Sequence, residues 1–211
     1  MLIAIGILTF ILIVASTWWF GLWSNLITLI NLLISSMLAS SIFEPISTEL
    51  ENINRSYRLL YDFIAVWLVF IVSFIVIRAI TDSLSGYRLK FDNVTELIGR
   101  SILSVWIAGV FICFSFFTLQ MAPLPPDTYG NSQTVDQGTI PDRLWLAFIQ
   151  SRSRGALSSS KAAGIWPEYK LPDHPDDVGK DMRVFDPYAR FLRFNATRRQ
   201  TISKMKRLRV N

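Results

Sequence analysis

Few side chains in this chain could do chemistry. His174 is the only histidine, flanked by Asp173 and Pro175 with Asp176 and Asp177 just beyond. One imidazole beside three carboxylates is a weak cation site at best. A zinc centre with several histidines has no material, and a Ser-His-Asp triad has no promising base. The plainer reading is a solvated acidic loop. Cys113, the only cysteine, sits in an apolar run. An intramolecular disulfide and a thiolate metal cluster are therefore excluded, and the thiol reads as a small apolar filler. Neither G-x-x-x-x-G-K-[ST] nor G-x-G-x-x-G occurs, so a glycine loop that cradles phosphate has no support. The expectation is a non-enzyme with no catalytic site, no metal and no cofactor.

The polar residues that stand out do so because of what surrounds them. Residues 1–43 contain no Asp, Glu, Lys, Arg or His, about twice the ~20 apolar residues that one bilayer crossing requires. Within this stretch Thr28, Asn31 and Ser35 fall at i, i+3 and i+7, on one face of a helix. Ser35 with Ala39, and Ser36 with Ser40, are small residues four apart that let another helix approach closely. The three polar side chains read as a helix-packing seam, with Asn31 hydrogen-bonded across it. A polar path for a solute is the alternative.

The elements that must position this seam follow from the pattern of apolar runs. The chain has 211 residues, 51% hydrophobic and only 18% charged, outside the norm for a water-soluble domain. The first run lacks the basic n-region and the A-x-A site of a secretory signal, so it is expected to remain as an uncleaved span. Trp18, Trp19, Phe20, Gly21, Trp23, Ser24 and Asn25 mark a tight turn at headgroup depth, which predicts an αα-hairpin with a second span at about 26–43. Glu44 and Pro45 end that span on this reading, and residues 44–62 form a mixed-charge connector in which Glu49, Glu51, Arg55 and Arg58 can pair on a short helix. Residues 63–77 are a third span of ~22 Å, lengthened by its apolar neighbours and by snorkelling of Arg78.

A second connector covers 78–100, with Gly86 near a helix end. Asn93 is expected as the N-cap and Glu96 as the N3 partner of a helix that runs into a fourth span at 101–121. In that span Ser104, Ala108 and Gly109 read as close-packing positions. Prolines 123, 125 and 126 then stop it. No charge falls well inside any of the four spans, which removes the usual mark of a proton relay or ion pathway. The predicted fold is an all-α integral membrane protein: about four transmembrane helices in residues 1–121, followed by a mostly irregular, basic C-terminal tail in 122–211.

That tail holds eight of the nine prolines, seven of them between Pro123 and Pro175, and fifteen of the 21 Lys and Arg. One short helix is expected in it, with Pro141 in the first turn, Trp145, Phe148 and Ile149 on an apolar face and Gly155 as the stop. Residues 151–164 read as a linker. Nine basic residues then fall between Arg183 and Arg209, among them Arg198, Arg199, Lys204, Lys206, Arg207 and Arg209. These six are candidates for contact with anionic lipid headgroups. Nucleic acid and plain solvation are the other readings. Nucleic acid is disfavoured because the aromatics Tyr188, Phe191 and Phe194 cluster ahead of most of the charges instead of interleaving with them.

The order of features over residues 1–121 resembles the colicin V production protein family. The features are an apolar hairpin with a glycine at its turn (Gly21), a polar connector, a third span, then Phe91-Asp92 leading into a glycine-containing fourth span (Gly99-Arg100). The family-motif matches are thus Gly21, Asp92 and Gly99. The chain departs from the family pattern at Asn93 and Glu96, and it lacks a basic residue beside the turn glycine. The resemblance implies a multi-pass protein of the bacterial inner membrane, linked to peptide-toxin export or envelope maintenance through protein partners or self-association. A structural anchor that presents the basic tail to lipid or to an assembly is the competing expectation. Near the membrane, Arg78, Arg88, Lys90 and Arg100 outnumber Arg55 and Arg58, so the positive-inside rule puts residues 78–100 in the cytoplasm and both termini outside.

Overall fold

The computed structural model describes residues 2–53, 58–85, 92–122 and 140–153. Among these, α-helix is the only regular structure: α1 (Leu2–Trp18), α2 (Leu22–Ile53), α3 (Arg58–Leu84), α4 (Asn93–Met121) and α5 (Ile140–Ser153). The chain divides into two units, Met1–Ala122 and Pro123–Asn211. Three helices carry stretches long and apolar enough to cross a bilayer, at Leu22–Phe43, Leu60–Leu84 and Asn93–Met121. The apolar part of α1, Ala4–Trp18, is shorter, ~22 Å against a ~30 Å hydrocarbon core.

Helix α2 is central. It packs most extensively on α3 and also on α4, while α1 lies against α4. The expected hairpin is corrected here: α1 and α2 are joined by a tight turn, but α1 packs along α4 instead of along α2. Size explains the pairing. Gly6 of α1 lets the Phe116 ring of α4 come within 3.0 Å of where a Cβ would stand, and the Arg100 guanidinium of α4 lies 5.2 Å from the centre of the Trp18 ring. With Gly6 level with Phe116 and Trp18 level with Arg100, α1 and α4 are antiparallel.

Between α3 and α4 the core is aromatic. Trp67 meets Phe111 and Phe114 at centroid distances of 6.2 and 5.9 Å, and Phe70 meets Phe114 at 4.9 Å. Tilted and edge-on ring pairs of this kind suit the ring quadrupole and add to apolar contact. The opposite side of α3 exposes Leu68, Ile71, Val72, Ile75 and Val76. So continuous an apolar surface fits hydrocarbon, not water.

Two expected boundaries are corrected. Glu44 and Pro45 close the apolar part of α2 at Phe43, yet the helix runs on to Ile53. Proline at 45 cannot donate to the carbonyl of Ser41, a loss worth ~3 kcal/mol in a helix interior. The continuation is held by α3, where Asp62 accepts a hydrogen bond from Ser47 Oγ. At the start of α4 the N-cap is Asp92, extended at φ −62° and ψ 145° with no side-chain cap bond, and Glu96 N–H donates to its carbonyl at 2.8 Å. Asn93 is already helical, so the expected capping box does not form.

In the second unit α5 begins at Ile140, one residue before Pro141, and ends at Ser153. Trp145 and Ile149 are buried and Phe148 is half-buried, so the expected apolar face is the covered one. Trp145 and Phe148 stand 5.5 Å apart.

Candidate functional site

The α2 face read as a seam is buried, and it meets α3. Asn31 and Ser35 are fully buried and Thr28 is half-buried. Asn31 Nδ2 donates to Thr81 Oγ1 at 2.8 Å, and Thr81 Oγ1 donates to the Arg78 carbonyl at 3.0 Å. In the other direction Arg78 Nη1 donates to Thr28 Oγ1 at 2.8 Å, and Thr28 Oγ1 donates to the Ser24 carbonyl at 2.8 Å. Each hydroxyl both accepts and donates. The result is a connected polar patch that ties α2 to the last turns of α3 and ends at the Arg78–Asp82 ion pair, 2.9 Å. Ser35 lies deeper; its Oγ, like Asn31 Oδ1, is buried without a hydrogen-bond partner.

Arg78 was expected to snorkel to the interface. It instead reaches sideways to α2 and along its own helix to Asp82.

A second polar contact centres on Asn25. Expected as part of the turn, it is fully buried inside the first turns of α2. Its Nδ2 donates to the Thr17 carbonyl of α1 at 3.1 Å and to Ser104 Oγ of α4 at 3.3 Å. One amide thus links three helices. Beside it, Trp23 Nε1 donates to Ser85 Oγ just after α3, at 2.9 Å. Asn25 was missed because Gly21 and Ser24 beside it read as turn formers. The signal that could have found it is a lone amide at the head of a charge-free apolar run.

Two of the three positions on which the expected resemblance rests, Gly21 and Gly99, lie at this same end. A Cβ on Gly99 would stand 2.1 Å from Leu22 Cδ1, so a larger residue there would require the Leu22 side chain to shift. Gly21 does not take a positive φ; a Cβ there would meet Glu96 Oε1 at 3.2 Å. Room for that carboxylate, not a left-handed turn, is what glycine supplies at 21. The carboxylate lies at the amino end of α2, where unsatisfied N–H groups and the helix dipole favour negative charge. Asp92 caps α4 nearby in sequence and is exposed.

Two other positions are corrected. Gly109 has nothing within 4 Å of a Cβ, so it is not a close-packing position, whereas Ser104 and Ala108 are fully buried. Cys113 is half-buried, not fully buried. Gly86, His174 and the lipid-contact candidates Arg198, Arg199, Lys204, Lys206, Arg207 and Arg209 lie outside the described residues. Among the described residues no group of His, Cys, Asp and Glu is placed to hold a metal ion.

Compared with protein-family models, with curated proteins and with solved structures, the chain matches none.

Proposed function

We propose that the chain is a multi-pass protein of the bacterial inner membrane, with four helices crossing the bilayer. On this reading it acts without catalysis or cofactor, through protein partners, in envelope maintenance or in export of a peptide toxin. The link to toxin export rests on the resemblance of Gly21, Asp92 and Gly99 to the colicin V production pattern. One observation carries the non-catalytic part of the reading. Asn25, Thr28, Asn31, Arg78, Thr81 and Ser104 are bonded to one another or to backbone across helix boundaries. Polar groups engaged in this way hold helices together and do not line a path for a solute.

The geometry of α1 supports a fourth crossing. It runs beside α4 from Phe116 to Arg100, ~24 Å of that helix's length.

The nine basic residues at 183–209 favour a second reading, an anchor that presents the tail to anionic lipid. One experiment separates the two. A bacterial strain lacking the gene is expected to admit a hydrophobic dye faster than its parent. Full-length protein should restore the barrier under both readings. A chain lacking 183–211 should restore most of it under the first reading and none under the anchor reading. An unchanged barrier in the deletion strain would overturn the envelope role.

A further inference from the structure

We propose that the end of the bundle where α1 turns into α2 carries a seat for the phosphate of an anionic phospholipid, formed by the Arg100 guanidinium over the Trp18 ring. The inference rests on the membrane reading above. Arg100 lies two turns into α4, on the face that also carries the buried Ser104 and Ile107. Its Cζ is 5.2 Å from the Trp18 ring centre, and its Nε is buried with no hydrogen-bond partner. No carboxylate lies within ion-pair distance of it among the described residues. Glu96, one turn earlier on the same helix, turns its carboxylate to Gly21 instead. The terminal nitrogens of Arg100 are not buried and have no acceptor among the described residues.

A partly desolvated cation without an anion is unfavourable, and a planar guanidinium offers the paired N–H groups that a phosphate accepts. Arg78, at the same end, is engaged by Asp82 and Thr28; among the described residues of that end, Arg100 is the cation left open. Its depth points to a lipid. Trp18 is 38% exposed, Trp19 85% and Phe20 54%, and tryptophans at a helix end mark the headgroup layer. In that layer the phosphates at hand belong to phospholipids, and in the leaflet that positive-inside counting assigns to residues 78–100 many of them are anionic.

Native mass spectrometry of the full chain, purified in mild detergent and titrated with phosphatidylglycerol or phosphatidylcholine, tests the seat. The wild type should retain one phosphatidylglycerol several-fold more tightly than phosphatidylcholine. R100Q should lose that preference, and R100K, which keeps the charge without the flat fork, should keep part of it. A full-length variant with Arg198, Arg199, Lys204, Lys206, Arg207 and Arg209 all changed to Gln should keep the single tight lipid. R100Q with unchanged helix content and an unchanged preference would overturn the proposal. Displacement of phosphatidylglycerol by millimolar inorganic phosphate would also overturn it, because the seat would then belong to a free anion. Should R100Q fail to fold, W18L serves in its place: a lowered preference supports the stack and an unchanged one refutes it. A chain recovered in the aqueous fraction of lysed cells would instead overturn the membrane reading.

Discussion

Two asparagines on α2 are fully buried, and the bonds they make predict unequal roles. Asn31 ties α2 to one residue, Thr81, whereas Asn25 joins α2 to both α1 and α4. An interhelical hydrogen bond inside a membrane contributes ~0.6–2 kcal/mol. Asn31→Leu should therefore lower stability by no more than that, and it also removes the unpaired Oδ1. Asn25→Leu should cost more, ~1–4 kcal/mol if its two bonds contribute independently. Unfolding of the detergent-solubilised protein by SDS, followed by far-UV dichroism, would rank the two. An Asn31→Leu protein that folds normally but has lost all activity would remove the packing reading and restore a polar path. The i, i+3, i+7 spacing made Asn31 legible in the sequence because an amide in an uncharged helix must find a partner. Which helix supplies that partner was not legible, since Thr81 sits beside Arg78 and Asp82 in what reads as a connector.

At the scale of the helices, glycine spacing alone does not say where two elements touch. Gly99 and Gly109 are ten residues apart on α4, and the first is pressed on Leu22 while the second faces open space. Replacing a helical glycine by alanine is worth ~1 kcal/mol in helix propensity. At Gly109 that gain stands alone, so Gly109→Ala should stabilise. At Gly99 the new methyl overlaps Leu22, and overpacking costs ~1–3 kcal/mol. Gly99→Ala should therefore be neutral to destabilising, and Leu22→Ala in the same chain should recover part of any loss. Equal effects at both sites would mean that α2 and α4 do not meet at Leu22. Helix length follows the same logic. Pro45 reads as a stop because local chemistry disfavours it inside a helix, but α2 runs through it to Ile53 with Ser47 bonded to Asp62 of α3. Pro45→Ala should raise stability, by up to ~3 kcal/mol, and a drop would show that the proline at this position is needed. The apolar runs were legible since length and lack of charge suffice to find them. The pairing of α1 with α4 was not, because it depends on how Gly6 fits Phe116 more than one hundred residues away.

For the molecule as a whole, a prediction of the side of the membrane on which each end lies rests on two features that meet at one end of the bundle. Trp23 bonds Ser85, and Arg100 stacks on Trp18, so the α1–α2 turn, the end of α3 and the start of α4 share that end. The N-terminus of α1, near Phe116, is at the other. The shared end also holds Arg78 and Arg100, with Arg88 and Lys90 between them in sequence, against Arg55 and Arg58 at the opposite connector. By the positive-inside rule, four basic residues against two predict a cytoplasmic Ser85 end. The basic tail pulls the other way, toward anionic cytoplasmic lipid, but its fifteen Lys and Arg begin only at Arg143, beyond the range in which loop charge sets orientation. Single cysteines at Leu2, Ser85 and Ser132, in a Cys113→Ala chain, would be treated in intact cells with a maleimide that does not cross membranes. Labelling at 2 and 132 but not at 85 is the expected outcome. Labelling at 85 alone would keep four crossings and reverse the orientation. Positions 2 and 85 behaving alike, with 132 opposite, would mean that α1 lies in the membrane surface beside α4 and that only α2, α3 and α4 cross.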